Sequence, residues 1–497
     1  MKVHLFVYFF LLMSLFCSAE GSLSVKENNT GRSIIMHENN PVLAFGPSPQ
    51  KILTYLPKGN GNDFYDWLLW AKKYGITHVR SYPPSIIVDT PARNLFKRAE
   101  GDSLKFDLTK FNDDYFAGLR EACVACGEAG IIIHLQLWQA VYWKNNWDEL
   151  YYNPTNNINH DIARYAGPGS FVTMENPKLL EHQKEYVRKI LDATADIGNV
   201  FYDIMNEIGN GTGSSALWVQ EIIACIRVWE IENGIKVLIT LNDEGGKRLD
   251  DYSLVADKFD LIIKDLGRYD EHVGVQREHN KPSLSVRNID WNYAKQKRGY
   301  FFRERNLEIT ADENLQIRGR KYWWRMFMAG VQSAGAYSDA VELRYWHKVG
   351  KLAYRAAKKA GFGASLFDTK IATYKLNTIT EKYFSYFKTF IDRIENCEKL
   401  QTIEKVVFNH PVATSYSLQS SRQAIIYIES PNGHAGYRYD VHDAVLARLL
   451  LPDGEYKMEY YFPYEGTSVY SSCFIKNGEC IITIPEFADD LVIKINS

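Results

Sequence analysis

Positive charge is the first thing this chain is short of. Its 497 residues carry 58 Lys and Arg against 60 Asp and Glu, a net charge of −2. No basic surplus is therefore left over to hold a nucleic acid or an anionic membrane. Beyond the first 16 residues there is no apolar run long enough to cross a bilayer. A glycine-rich phosphate turn is missing as well. The first candidate strand is followed by Gly46-Pro47-Ser48-Pro49, which deprives a dinucleotide or phosphate enzyme on an open doubly wound sheet of its anchor. Cysteine is scarce, at seven residues. Cys123 and Cys126 are two residues apart, but no second pair and no nearby His completes a zinc site. In a helical pattern with Tyr115, Leu119 and Ala122 they read as buried thiols. No metal and no cofactor is expected, and tandem repeats and low-complexity tracts are absent.

What is present starts with a leader. Lys2 and His4 precede the apolar run Leu5–Phe16, and Cys17-Ser18-Ala19 offers small residues before a cut at Glu20. Residues 1–19 are thus expected to be a signal peptide and the mature protein to be exported, secreted or periplasmic. Cys473 and Cys480 flank a turn at Lys476-Asn477-Gly478 and are placed to bridge a hairpin in an oxidising compartment.

From about residue 40 to 340, short apolar strands alternate with amphipathic helices, the order of a parallel α/β fold. The candidate strands are Val42–Gly46, His78–Tyr82, Ile131–Leu137, Val200–Asn206, Lys236–Leu241, Leu261–Asp265, Ser283–Arg287 and Val331–Tyr337. The candidate helices are Asp63–Tyr74, Asp113–Ala129, Pro177–Ile197, Ala216–Asn233 and Asn314–Ala329. Eight strands in series over roughly 300 residues fit a closed (β/α)8 barrel better than an open sheet. Long loops follow strands two, three and seven. The third runs from Trp138 to about Glu175 and carries Tyr142, Trp143, Trp147, Tyr151, Tyr152 and Tyr165, a composition suited to a binding wall. The 32 Tyr and 11 Trp of the whole chain are either platforms for sugar rings or extra aromatic core. From about Glu404 the pattern turns to alternating strands punctuated by turns such as Pro452-Asp453-Gly454, which reads as an antiparallel β-sandwich. The expected division is 1–19 signal peptide, 20–398 barrel and 399–497 sandwich, in a monomer.

The most informative stretch is Asn199–Glu207, Asn-Val-Phe-Tyr-Asp-Ile-Met-Asn-Glu, followed by Ile208-Gly209-Asn210-Gly211. An apolar strand stops on an Asn-Glu pair, and the C-terminal ends of barrel strands are where active sites are built. A carboxylic acid beside an amide donor suits sugar chemistry: the acid protonates a leaving oxygen while the amide holds a hydroxyl. A capping Asn and a solvated Glu after a buried strand is the alternative.

With Asn206-Glu207 after strand four, Arg80 after strand two, the opening His37-Glu38-Asn39-Asn40-Pro41-Val42 and the helix Tyr322–Gly330 leading into strand eight, the chain resembles the cellulase-like (β/α)8 glycoside hydrolases of the large retaining clan. The likeness covers about residues 35 to 395, and a trailing sandwich is a common companion of such barrels. It implies a carbohydrate substrate, Glu207 as general acid/base, Asn206 on the sugar 2-hydroxyl, and Arg80 orienting a second carboxylate and keeping it ionised. His134 and Gln136 within strand three reach the pocket or stay in the barrel interior. Trp138 is the candidate stacking platform, with Tyr82 and Tyr269 as further substrate contacts. One departure stands out. Retaining chemistry needs a second carboxylate about 5–5.5 Å from the first, usually a Glu ending strand seven. Here that strand reads Ser283-Leu284-Ser285-Val286-Arg287-Asn288-Ile289-Asp290, with no Glu. Asp290 takes the role from a later position; or Asp243, Glu244, Asp265 or Asp339 supplies it; or hydrolysis is lost and a glycan-binding protein on a barrel scaffold remains.

Overall fold

The computed structural model describes residues 22–28, 30–47, 52–54, 62–84, 87, 91–140, 143, 146–163, 167, 169–209, 212–242, 249–266, 269–287, 320–336, 378–403, 414–429, 438–439 and 444–497. Eight strands alternate with helices: β1 (Ala44–Pro47), β2 (His78–Ser81), β3 (Ile132–Gln136), β4 (Val200–Asn206), β5 (Ile239–Asn242), β6 (Ile262–Leu266), β7 (Ser283–Arg287) and β8 (Ser333–Ala336). They form two four-stranded parallel sheets, ordered β5-β4-β3-β2 and β6-β7-β8-β1. Beside the outer strands of the two sheets, a few hydrogen bonds take the place of ladders. Thr77 N donates to Phe45 O (3.1 Å) beside β1 and β2, and Asp260 N donates to Ile239 O (3.0 Å) beside β5 and β6. Side chains from both sheets meet in one apolar cluster: Ile132 and Phe201 from the first, and Leu238 just before β5, with Ala44, Ile263 and Leu284 from the second. A face of each sheet is thus buried against the other.

The helices between the strands are α1 (Asn62–Lys73), α2 (Asp113–Glu128), α3 (Pro177–Thr194), α4 (Ala216–Asn233), α5 (Tyr269–His279), the helical residues 320–328, and α6 (Thr378–Ile391). Their ends obey local chemistry. Asn176 caps α3 by accepting from Lys178 N and Leu179 N, with Pro177 in the first turn where no N–H is missed. Gly234 closes α4 at φ +69°, a left-handed turn that a side chain would strain. Aromatic rings fill the layer between sheet and helices. Trp138 lies 5.2 Å from Tyr186 on α3 and 5.5 Å from Trp218 on α4, ring centre to ring centre. Among the described residues no helix is long and apolar enough to cross a membrane.

The C-terminal part is antiparallel. Strands β9 (Gln401–Ile403), β10 (Thr414–Gln419), β11 (Gln423–Glu429), β12 (Ala444–Arg448), β13 (Gly454–Phe462), β14 (Thr467–Ile475), β15 (Glu479–Thr483) and β16 (Asp490–Asn496) include a six-stranded sheet ordered β9-β10-β11-β16-β13-β14 and a separate β12–β15 pair. Ala447 and Ile482 of that pair share an apolar core with Ile426, Met458 and Ile493 of the sheet. Cys473 and Cys480 lie in this core as free thiols, where the sequence suggested a bridge.

This sheet is bound to the helical layer through both apolar and ionic contacts. Trp324 stacks on Tyr427 at 5.7 Å, and Phe390 of α6 packs on Tyr461 at 4.8 Å. Fully buried Arg320 donates from Nε to Asp490 Oδ2 at 3.1 Å, and its Nη2 lies 2.9 Å from Oδ1. Arg325 Nε reaches both oxygens of Glu429, at 2.8 and 2.9 Å.

Candidate active site

Strand β4 delivers the Asn-Glu pair where the sequence placed it. Its seven residues are all buried, and Glu207, one position beyond, is 6% exposed. The backbone of Glu207 is left-handed, at φ +52°. A residue with a Cβ is uncommon there, and such conformations cost of the order of 1–3 kcal/mol. Two hydrogen bonds hold the turn in place: Asn206 N donates to Trp138 O (3.0 Å) and Ile208 N to Asn242 O (3.2 Å). The neighbouring strands β3 and β5 thus fix the backbone on both sides of the carboxylate.

Asn206 is tied into a buried network. Its Oδ1 accepts from Arg80 Nη2 at 2.5 Å and from Asn242 Nδ2 at 2.8 Å, and its Nδ2 donates to Gln139 Oε1 at 2.6 Å. A primary amide has two donor hydrogens, so one remains to meet a hydroxyl. Arg80, fully buried, also places Nη2 3.3 Å from Asp203 Oδ2. Its Nε and Nη1 have no hydrogen-bond partner. His134 Nε2 lies 3.2 Å from the same Asp203 oxygen, while Asn242 N donates to Asp203 Oδ1 at 3.1 Å.

The electrostatics of this cluster are set by burial and by one carboxylate. Burial pushes the His134 imidazole down to about 4, against the hydrogen bond with Asp203, which raises it. At neutral pH the ring is therefore uncharged and donates Nε2–H. Burial also drives His78 well below its ordinary value, with His134 and Arg80 adding to the effect. For Asp203 burial opposes ionisation, but the hydrogen bond from His134, the charge of the Arg80 guanidinium and the Asn242 N–H outweigh it. Asp203 stays ionised.

The structure brings Asn206, Arg80 and His134 together around Asp203 on β2, β3 and β4, with Glu207 next to Asn206 in the chain. His134 spends its proton inside the network, the interior role that the sequence left open. Gln136 pairs in register with Asp203; its amide is fully buried and neither polar atom has a hydrogen-bond partner. Tyr82, just past β2, is 2% exposed.

Two expected sugar contacts pack against other rings. Trp138, expected as a stacking platform, is 4% exposed and packs among Phe171, Tyr186 and Trp218 in the aromatic layer between sheet and helices. Tyr269, at the start of α5, packs its ring 4.5 Å from Tyr416 of β10, so it serves the contact with the C-terminal sheet. The loop after β3 also turns its rings inward: Trp143, Tyr151 and Tyr152 are buried, and Trp143 lies 3.7 Å from Phe171. Tyr142 and Tyr165 of that loop, and Asp290, Asp243, Glu244 and Asp339, lie outside the described residues, and Asp265 is described only as backbone in β6. Sequence reasoning missed Asp203, Gln139 and Asn242. For Asp203 the signal was present, since an acid inside the run Val-Phe-Tyr-Asp-Ile-Met must be buried and so must be paired.

No family model and no curated relative matches the chain. Solved structures do. One from Bacteroides vulgatus ATCC 8482, named as a candidate glycoside hydrolase, is 12% identical with a TM-score of 0.61, over 96% of this chain and 82% of its own. A glycoside hydrolase family 5 structure from the same organism is 13% identical with a TM-score of 0.55, over 95% and 93%. A third, named simply glycoside hydrolase, is 13% identical with a TM-score of 0.54, over 96% and 97%. The fold is the one these hydrolases share. At such identity the likeness concerns the fold, and it spans both the parallel sheets and the C-terminal sheet.

Proposed function

We propose that this chain is an exported glycoside hydrolase that cleaves O-glycosidic bonds in an oligo- or polysaccharide. In this reading the two parallel sheets close into one eight-stranded barrel over residues 20–398, residues 399–497 form a sandwich against it, and residues 1–19 are a cleaved leader. The observation that carries the proposal is Glu207 at the mouth end of β4, beside an Asn206 amide locked to Arg80 by a 2.5 Å hydrogen bond. Glu207 is the general acid/base, and the remaining Asn206 N–H meets the hydroxyl next to the scissile bond. Arg80 turns its unpartnered Nε and Nη1 hydrogens toward an anion. The partner carboxylate is drawn from Asp290, with Asp243, Glu244, Asp265 and Asp339 as the other candidates. Its separation from Glu207 sets the stereochemical outcome: about 5–5.5 Å for retention and ≈ 6.5–9.5 Å for inversion.

The test is direct. Glu207→Gln should abolish release of reducing sugar from a glycan that the intact protein cleaves, while leaving glycan binding in place. Alanine at Asp290 should slow turnover by orders of magnitude if Asp290 is the partner; near-normal turnover eliminates it. The second reading, a glycan-binding protein without hydrolysis, is favoured by a β7 that ends on Arg287 with no Glu. It prevails if the intact protein binds glycans yet releases no reducing end across a broad panel. A monomer is proposed, and sedimentation at working concentration checks it.

A further inference from the structure

Asp203 is an ionised acid in contact with the buried Arg80–His134 pair, and the reaction proposed above gives it no task. It sits three residues before Asn206 on β4, fully buried. Three strands converge on its two oxygens: Arg80 Nη2 from β2 and His134 Nε2 from β3 on Oδ2, and Asn242 N from β5 on Oδ1. The groups facing it are thus one permanent cation, one neutral imidazole and a backbone N–H, with the neutral His78 ring 6.2 Å beyond His134.

We propose that Asp203 is a positioning residue: it holds Arg80 and His134 in register and balances the Arg80 charge, so that the carboxyl groups of the reaction titrate in a neutral rather than a cationic field. The argument is geometric. A guanidinium offers five N–H donors in a rigid plane. Here the Nη2 corner is pinned between Asp203 and Asn206, which fixes the plane and leaves Nε and Nη1 unpartnered. Without an anion at Asp203, Arg80 loses the carboxylate that neutralises its buried charge from within the strands, and the field around it turns more positive. It then lowers the pKa of neighbouring carboxyls, Glu207 included, because a nearby cation favours the ionised form. An acid catalyst must keep its proton, so the basic limb of the pH–rate profile moves to lower pH.

This inference rests on the hydrolase reading, and its test has two arms so that the two can fail separately. In the first, Asp203→Asn removes the charge and keeps the shape. The basic limb of kcat should fall by about one pH unit, kcat should drop with KM changed little, and Asp203→Glu should restore the limb even if its rate stays low. Active Asp203→Asn with unmoved limbs overturns the proposal and leaves the hydrolase reading intact. The second arm needs no substrate. Asp203→Asn should lower the unfolding midpoint, and the double variant Asp203→Leu with Arg80→Met should recover part of it, because removing both charges strands neither. A double variant no more stable than Asp203→Asn overturns the charge-balancing role. An intact protein that cleaves nothing sinks the hydrolase reading, while the second arm still reports on the pair.

Discussion

At Asn206 a single amide joins Arg80, Asn242 and Gln139, and its last hydrogen is the only part left for a ligand. Asn206→Ala should therefore cost about 10²–10³-fold in kcat, the usual loss when one preorganised donor is removed. It should also loosen Arg80. Steady-state kinetics against Asn206→Asp, which keeps the acceptor but adds charge, separates the lost donor from the misplaced cation. His134 and His272 give a second prediction. Burial first, then neighbouring cations, put His134 at about 4 and His272 at about 3, against 6.5 for a free imidazole. The unfolded chain thus binds protons that the folded chain refuses, so stability is complete above pH 6.5 and is lost as pH falls toward 4 and below. His134 alone accounts for about 3 kcal/mol of that loss. Urea midpoints between pH 7 and 4 should fall steadily; a flat profile contradicts neutral burial.

Among the elements, β1 and β2 are joined by two hydrogen bonds between Phe45 and Thr77 and by closeness of approach. A Cβ on Gly46 would stand 2.7 Å from Ile76 Cγ2 and 2.9 Å from His78 O. Gly46→Ala should therefore cost about 1–3 kcal/mol, read as a lower melting temperature, and it should weaken activity because β2 carries Arg80. The eight strands were legible in the sequence to within a few residues, since short β-branched runs between helices of period 3.6 leave few alternatives. Helix α5 was not, because its stretch Tyr269–His279 is mostly polar and shows little periodicity. Of the candidate site, the meeting of Asn206 with Arg80 was legible because each residue type is unusual for its place. Trp138 and Tyr269 read as sugar contacts because an aromatic just past a strand or at a helix start looks alike in sequence whether a sugar or another ring covers it. Only the packing of α3, α4 and β10 distinguishes these cases.

Across the whole molecule, the C-terminal sheet and the helical layer share buried charge as well as buried rings. Arg320 and Asp490 are both fully buried, and Tyr427 Oη donates to the same Asp490 oxygen at 3.0 Å. Asp490→Asn should cost about 1.5–3 kcal/mol, because it removes the nearer of the two buried anions that face Arg320, leaving only Asp489 at 3.6 Å from Nη2. Calorimetry should then show the single unfolding transition of the intact protein separating into two. The same feature bears on how this protein can be handled in the laboratory. A clone shortened to end near residue 398 would bare Trp324 and Phe390 to water and strip Arg320 of its counter-ion, so the excised front portion should precipitate or bind chaperones. For practical purposes the tail is part of the skeleton of the whole molecule.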